Sequence, residues 1–146
     1  MPTSVELPVS VVIPCLNRVA QTRSLLESFC NADFVCELIL VDDASEPSLC
    51  GLVEEFEHLR IIYLRNSINK GPAYSRNIGV EAAQHEYVAF TDNDCSVHPD
   101  WLNDLHDAIS KSRKSVAGIG GRVLTKSLSI AGQYFTYHKI LEELLN

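Results

Sequence analysis

The chain has 146 residues, 46% of them hydrophobic and 21% charged, which is the balance of an ordinary globular protein of one domain. A formal net charge of -7 argues against a nucleic-acid surface, which needs clustered Lys and Arg, but leaves room for one local basic pocket. No apolar run approaches the roughly 18–20 residues that cross a bilayer, and the N-terminus lacks the basic and apolar regions of a signal peptide, so a cytoplasmic protein without a membrane span is expected.

Apolar runs then alternate with helical periodicity. Val9 to Ile13 reads as a first strand, continuous in β-branched residues and so buried on both faces. Leu25, Leu26, Phe29 and Cys30 form the stripe of a first helix. Glu37 to Val41 is a second strand. Leu49, Leu52, Val53 and Phe56 make a second helix, with Ser45 as its cap and Pro47 in its first turn. Ile61 to Leu64 is a third strand, and Pro72 opens a third helix over Ala73 to Ala83 that Gly79 weakens. Tyr87 to Thr91 is a fourth strand. Pro99 opens a fourth helix with Trp101, Leu102, Leu105, Ala108 and Ile109 facing the core. Val116 to Leu124, broken by Gly118, Gly120 and Gly121, reads as a fifth strand with a bulge.

This strict alternation of strand and helix, with short connections, predicts an α/β domain over residues 1–124: a mostly parallel sheet covered by helices on both faces. Residues 125–146 behave differently. Tyr134, Tyr137, Leu141 and Leu144 recur at helical spacing, and the sequence stops at Asn146 without a glycine cap. They read as a helical tail, either the stump of a truncated acceptor-binding region or a surface for self-association.

The chemistry gathers at the predicted strand ends. Asp92-Asn93-Asp94 sets two carboxylates one residue apart directly after the fourth strand, and such hard oxygen donors suit Mg²⁺ or Mn²⁺ completed by a ligand's phosphates. The second strand ends in Asp42-Asp43, and the first in Pro14-Cys15-Leu16-Asn17. Parallel strands end together, so these segments share the edge where open α/β sheets bind ligands. Asp43 suits a base imide or a ribose hydroxyl, while Lys70 and Arg76, after the third strand, suit a diphosphate. Blander readings stand beside these: Asp42-Asp43 as a solvated cap of the second helix, Lys70 as a surface charge, Arg76 as the partner of a helical glutamate, and Asp92-Asp94 as a turn. The five cysteines contain no C-x-x-C pair and read as small buried hydrophobes.

Taken together, the segments from Val9 to Arg18, Glu37 to Ser45, Asn69 to Asn77 and Tyr87 to Asp94, continuing to Pro99-Asp-Trp-Leu102, resemble the inverting glycosyltransferases of family 2, with the GT-A fold. The resemblance implies a nucleoside-diphosphate-sugar donor, most often a UDP-sugar, and an acceptor hydroxyl on a glycan, lipid or protein. By the same resemblance Pro14, Cys15, Leu16 and Asn17 line the base pocket and Asp43 hydrogen-bonds the base, while Asp42, Lys70, Gly71, Arg76 and Asn93 belong to the wider donor site. Asp92 contacts ribose or metal, Asp94 ligates the metal on the diphosphate, and these two carry the catalytic role.

Two departures stand out. Leu16 occupies a place where the family commonly has a base-stacking aromatic. Beyond Leu124, only Glu142 and Glu143 offer carboxylates, without the pattern that surrounds the family's general base. The chain therefore reads as the donor-binding half of a metal-dependent glycosyltransferase, or as a nucleotide-sugar-binding or interaction module without turnover. A haloacid-dehalogenase-type phosphatase fits less well, since its Asp-x-Asp loop follows the first strand. A calcium loop fails because Val97 stands where glycine is needed.

Overall fold

A computed structural model of the chain describes residues 5–121, 123 and 124. Four strands and four helices alternate in it: β1 (Val5–Cys15), α1 (Val19–Cys30), β2 (Phe34–Asp42), α2 (Cys50–Glu54), β3 (Ile61–Arg65), α3 (Pro72–Ala82), β4 (Tyr87–Phe90) and α4 (Trp101–Lys111). The strands form one sheet in the order β3-β2-β1-β4, and every neighbouring pair is parallel. By chain contacts, the described residues up to His106 form one compact unit and those from Asp107 a second.

Inside the first unit, β1 is one of the two inner strands, and its alternation sorts the core into two layers. Val9, Val11, Ile13 and Cys15 pack with Cys36, Leu38 and Leu40 of β2 against Leu25, Leu26 and Phe29 of α1, Leu52 of α2 and Leu102 of α4. Val12, Ile39 and Val41 point the opposite way and meet Ile78 and Ala82 of α3. Both faces of the sheet are therefore covered, as the continuous apolar runs require. Phe29 holds the first layer together at its end, with Phe34 and Trp101 edge-on at ring-centroid distances of 6.2 and 6.3 Å.

Several expectations need correcting. The strand expected at Val116 to Leu124 does not form among the described residues, which run there without regular structure. Three glycines in four positions lose the most backbone entropy on ordering and bring no side chain to pack. The fourth strand ends one residue earlier than expected, and Phe90 is exposed, β4 being an edge of the sheet among the described residues. Ser45 does not cap α2, which begins only at Cys50 without a side-chain cap. Cys30 is exposed, so the stripe of α1 ends at Phe29. Of the apolar residues expected to face the core from α4, Leu102 is fully buried, while Ala108 is exposed. The tail over 125–146, with its expected helix, lies outside the described residues.

Gly79 turns out to be structural. It lies at the contact of α3 with β1, where an added Cβ would sit 2.3 Å from Val12 Cγ1. Val12 is itself fully buried, so it has nowhere to retreat. Gly79→Ala is expected to destabilise the fold by about 1–3 kcal/mol through overpacking, despite the better helix propensity of alanine. Urea unfolding measures this, and a stability equal to or above that of the parent chain would contradict the packing described.

Candidate functional site

The strand registers bring the singled-out residues to one edge. Cys15 stands opposite Asp42, so β1 and β2 end level, while β4 ends opposite Val12, three residues earlier on the same edge. Backbone bonds continue past the sheet: Asp43 N–H donates to Cys15 O at 2.7 Å, Asn66 N–H to Asp42 O at 2.8 Å, and Thr91 N–H to Val12 O at 3.3 Å. Asn17, Asp43, Asn66 and Asp92 thus emerge along a single carboxyl edge.

The polar residues there divide into buried struts and exposed groups. Asp42 is fully buried. Its carboxylate accepts from Ser45 N–H (2.8 Å), Leu49 N–H (3.1 Å), Tyr63 O–H (2.6 Å) and Arg65 (2.6 Å). With no accessible surface, it ties β2 to the segment before α2 and presents nothing to a ligand. Asp43 points to the other face and is nearly as buried. It accepts from Asn66 Nδ2 (2.7 Å), Lys70 N–H (2.9 Å) and Gly71 N–H (2.7 Å), with Ser75 also engaged. Asp43 therefore holds the loop that carries Lys70 and Gly71, and a base N–H would have to displace one of these donors to reach it.

Burial opposes ionisation of both carboxyls, but their hydrogen bonds outweigh it, from Ser45 and Tyr63 on Asp42 and from Lys70 N–H and Asn66 on Asp43. Both are held below the ordinary carboxylate value.

Asn93, between the two outer aspartates, is also buried. Its side-chain amide donates to Thr22 Oγ1 at 3.0 Å and Asn17 O at 3.5 Å, stitching the end of β4 to the start of α1. Asn17 N–H donates to Ser45 Oγ at 2.7 Å, and Asn17 Oδ1 accepts from Glu46 N–H at 2.9 Å. These bonds fix an unusual backbone: Asn17, Arg18 and Ala44 have φ of 54°, 56° and 65°, and Gly71 has 87°. Left-handed conformations at non-glycine residues cost about 1–3 kcal/mol each and persist where surrounding contacts over-determine them.

Asp92 and Asp94 are exposed. Arg76 from α3 donates to Asp92 at 2.6 Å, and Arg18 pairs with Asp94 across 76 positions of sequence. Pairs this open contribute little, about 0–1 kcal/mol. Lys70 lies over the ring of Tyr74, 4.3 Å from its centroid. Pro14 is buried, and so is Cys15, whose thiol burial pushes well above the ordinary value; only Leu16 and Asn17 of that quartet face outward. Among the described residues there is no group of three or more His, Cys, Asp or Glu side chains able to cage a metal.

Comparisons with known proteins bear on the family and the fold. The family model for glycosyl transferase family 2 matches residues 10–136. The chain belongs to glycosyl transferase family 2. It is 33% identical over 106 residues to an uncharacterised glycosyltransferase of Haemophilus influenzae, covering 70% of this chain and 35% of that protein. With the chondroitin synthase of Escherichia coli it shares 34% identity over 120 residues, covering 77% of this chain and 17% of that one. In structure it is similar to residues 1–349 of the poly(ribitol-phosphate) β-N-acetylglucosaminyltransferase TarS of Staphylococcus aureus, solved also with UDP-GlcNAc. The TM-score is 0.67 at 27% identity, over 83% of this chain and 40% of that one. A mannosyltransferase of Pyrobaculum calidifontis shares the fold at TM-score 0.67 and 22% identity, over 75% of this chain and 34% of that chain. The fold is thus that of the GT-A glycosyltransferases. The family 2 chain spans about a third or less of the curated relatives named here.

Sequence reasoning missed Arg18, Thr22, Asn66 and Ser75 as parts of this edge. Asn66 carried a readable signal, a polar side chain immediately past a strand, as Asn17 and Asp43 are. Thr22 and Ser75 did not, since each lies inside a helix and serves the site only through its tertiary partner.

Because the unfolded chain binds protons at a higher pH than the native Asp42 and Asp43, their contribution is complete above about pH 4 and lost as pH falls through the folded values. Asp43→Asn should cost about 2–3 kcal/mol at neutral pH, because an amide N–H₂ now faces backbone donors. It should also make the acid loss of stability shallower. Denaturation followed from pH 7 to 2 tests both, and an unchanged acid limb would show that Asp43 does not hold the loop.

Proposed function

We propose that this chain is the donor-binding part of an inverting glycosyltransferase that holds a nucleoside-diphosphate sugar, a UDP-sugar, with Mg²⁺ or Mn²⁺. The observation that carries the reading is the convergence of Asn17, Arg18, Arg76, Asp92 and Asp94 on one carboxyl edge of a parallel sheet, in a family 2 chain. The TarS structure with UDP-GlcNAc supports a uridine donor.

In this reading the base lies against the outward part of the Pro14–Asn17 segment, with exposed Leu16 offering apolar contact in place of an aromatic ring. Asp43 acts by fixing the Asn66–Gly71 loop through the Lys70 and Gly71 N–H groups, which brings the Lys70 side chain to the donor. Arg76 meets the diphosphate. Asp92 and Asp94 fit a divalent cation by donor type and exposure. Two carboxylates make an incomplete shell, so the remaining positions fall to phosphate oxygens and water, and cation and nucleotide should bind better together than apart. Such a cation would neutralise charge developing on the departing nucleoside diphosphate while an acceptor hydroxyl attacks the opposite face of the sugar. Residues 1–124 serve as the donor-binding domain, and no general base or acceptor site is assigned within it.

A thermal-shift panel of nucleoside diphosphates and their sugars, with and without Mn²⁺, tests this. At ~100 times Kd a ligand stabilises by about 2.7 kcal/mol, a rise on the order of 5–10 °C for a domain of this size. The largest rise is expected for a uridine nucleotide with metal, and Asp94→Ala should abolish the metal-dependent part. No response to any nucleotide would instead favour an interaction module without a donor site.

A further inference from the structure

Arg18 has no role in the reading just given beyond its place at the edge, yet its setting is the most constrained there. Its backbone is left-handed, directly after another left-handed residue. That conformation is held from several directions: by Ser45 and Glu46 on Asn17, by Asn93 on Asn17 O, and by Thr22, whose N–H and hydroxyl both donate to Arg18 O at 2.9 and 3.1 Å. A helix start over-determined in this way aims one long side chain, and that side chain ends on Asp94. The pair itself is open to water, with both partners about half exposed, so it is cheap to break. The backbone is rigid while the charge contact is labile. That combination suits a group that changes partners on binding better than one that only stabilises the fold.

We infer that Arg18 is an exchanging charge partner of the site: it neutralises Asp94 while no donor is present and passes to the donor's diphosphate when a divalent cation takes that carboxylate. The inference rests on the nucleotide-sugar reading above. The charges balance in both states. Alone, Arg18 and Arg76 offset Asp94 and Asp92; with ligand, the cation takes the two carboxylates and the freed guanidiniums face the diphosphate, a geometry the planar fork of arginine matches in two bonds. Arg18 would then suppress binding of the cation by itself and favour its binding with a nucleotide, so the two ligands become coupled through one side chain.

The experiment titrates the 146-residue chain with Mn²⁺ alone, followed by electron paramagnetic resonance of the free ion, and with UDP and GDP at saturating Mn²⁺, followed by calorimetry. Arg18→Gln should bind Mn²⁺ alone roughly fivefold more tightly, the effect of one unit charge at contact in water. It should bind the nucleoside diphosphate at least roughly tenfold more weakly, the loss of a hydrogen bond between charged groups. Opposite signs on the two ligands are what a merely structural arginine cannot give. Should R18Q prove too unstable to titrate, Arg18→Lys carries the test: Mn²⁺ affinity near that of the parent chain, with weaker nucleotide binding. A parent chain that binds no nucleoside diphosphate sinks the donor reading and this inference with it. A parent chain that binds one overturns the inference alone if R18Q leaves either affinity unmoved or weakens both alike, or if R18K binds the nucleotide as tightly as the parent chain.

Discussion

The parallel pairing of β1 with β2 on one side and β4 on the other is the constraint from which the site follows. β1 has little freedom of register. Val11, Val12 and Ile13 are fully buried, with alternate residues committed to opposite layers, so a one-residue slip would turn each layer inside out. With the register fixed at Cys15 opposite Asp42 and Val12 opposite Phe90, β1 and β2 leave the sheet level with each other and β4 three residues earlier, all at one edge. The acidic and amide residues that follow are crowded at one edge because the apolar residues before them are locked in place.

What that crowding produces is a division of labour among similar side chains. Asp42 and Asp43 are neighbours in sequence but face opposite layers, and each is buried and saturated by donors from segments distant in the chain. Asn93, Thr22, Ser45 and Asn66 complete a layer in which, among the described residues, no buried side-chain oxygen or nitrogen lacks a partner. A satisfied buried network of this kind is rigid, and here it holds the left-handed turns at Asn17, Arg18, Ala44 and Gly71. Asp92, Asp94, Arg18, Arg76 and Lys70 stand outside that layer with labile partners. The rigid layer positions them, and their exposed ion pairs are cheap to break.

Much of this was legible in the sequence. Continuous β-branched runs such as Val9 to Ile13 gave buried parallel strands, and their polar ends marked the edge of the sheet. Burial within the edge was not legible. Asp42 and Asp43 look alike in one dimension to Asp92 and Asp94, and only the tertiary donors reveal the first two as struts. The Arg18–Asp94 pair spans two segments with no periodic relation, so no local pattern announces it. Gly79 read as a weak point of α3 because its cost is local and its benefit, the close approach to Val12, is not. The fifth strand expected over Val116 to Leu124 does not form among the described residues because the backbone entropy of Gly118, Gly120 and Gly121 outweighs the apolar pattern.

The central claim is that one carboxyl edge binds a cation and a diphosphate together. Paramagnetic broadening of backbone amide signals by Mn²⁺ in the presence of UDP tests it directly. The account predicts loss of the signals of Asn17, Arg18 and Asp92 to Cys95, with Ser10 and His85 at the opposite end of the strands left sharp, and much weaker broadening by Mn²⁺ alone. Uniform broadening, or broadening centred on the His85 end, would contradict it.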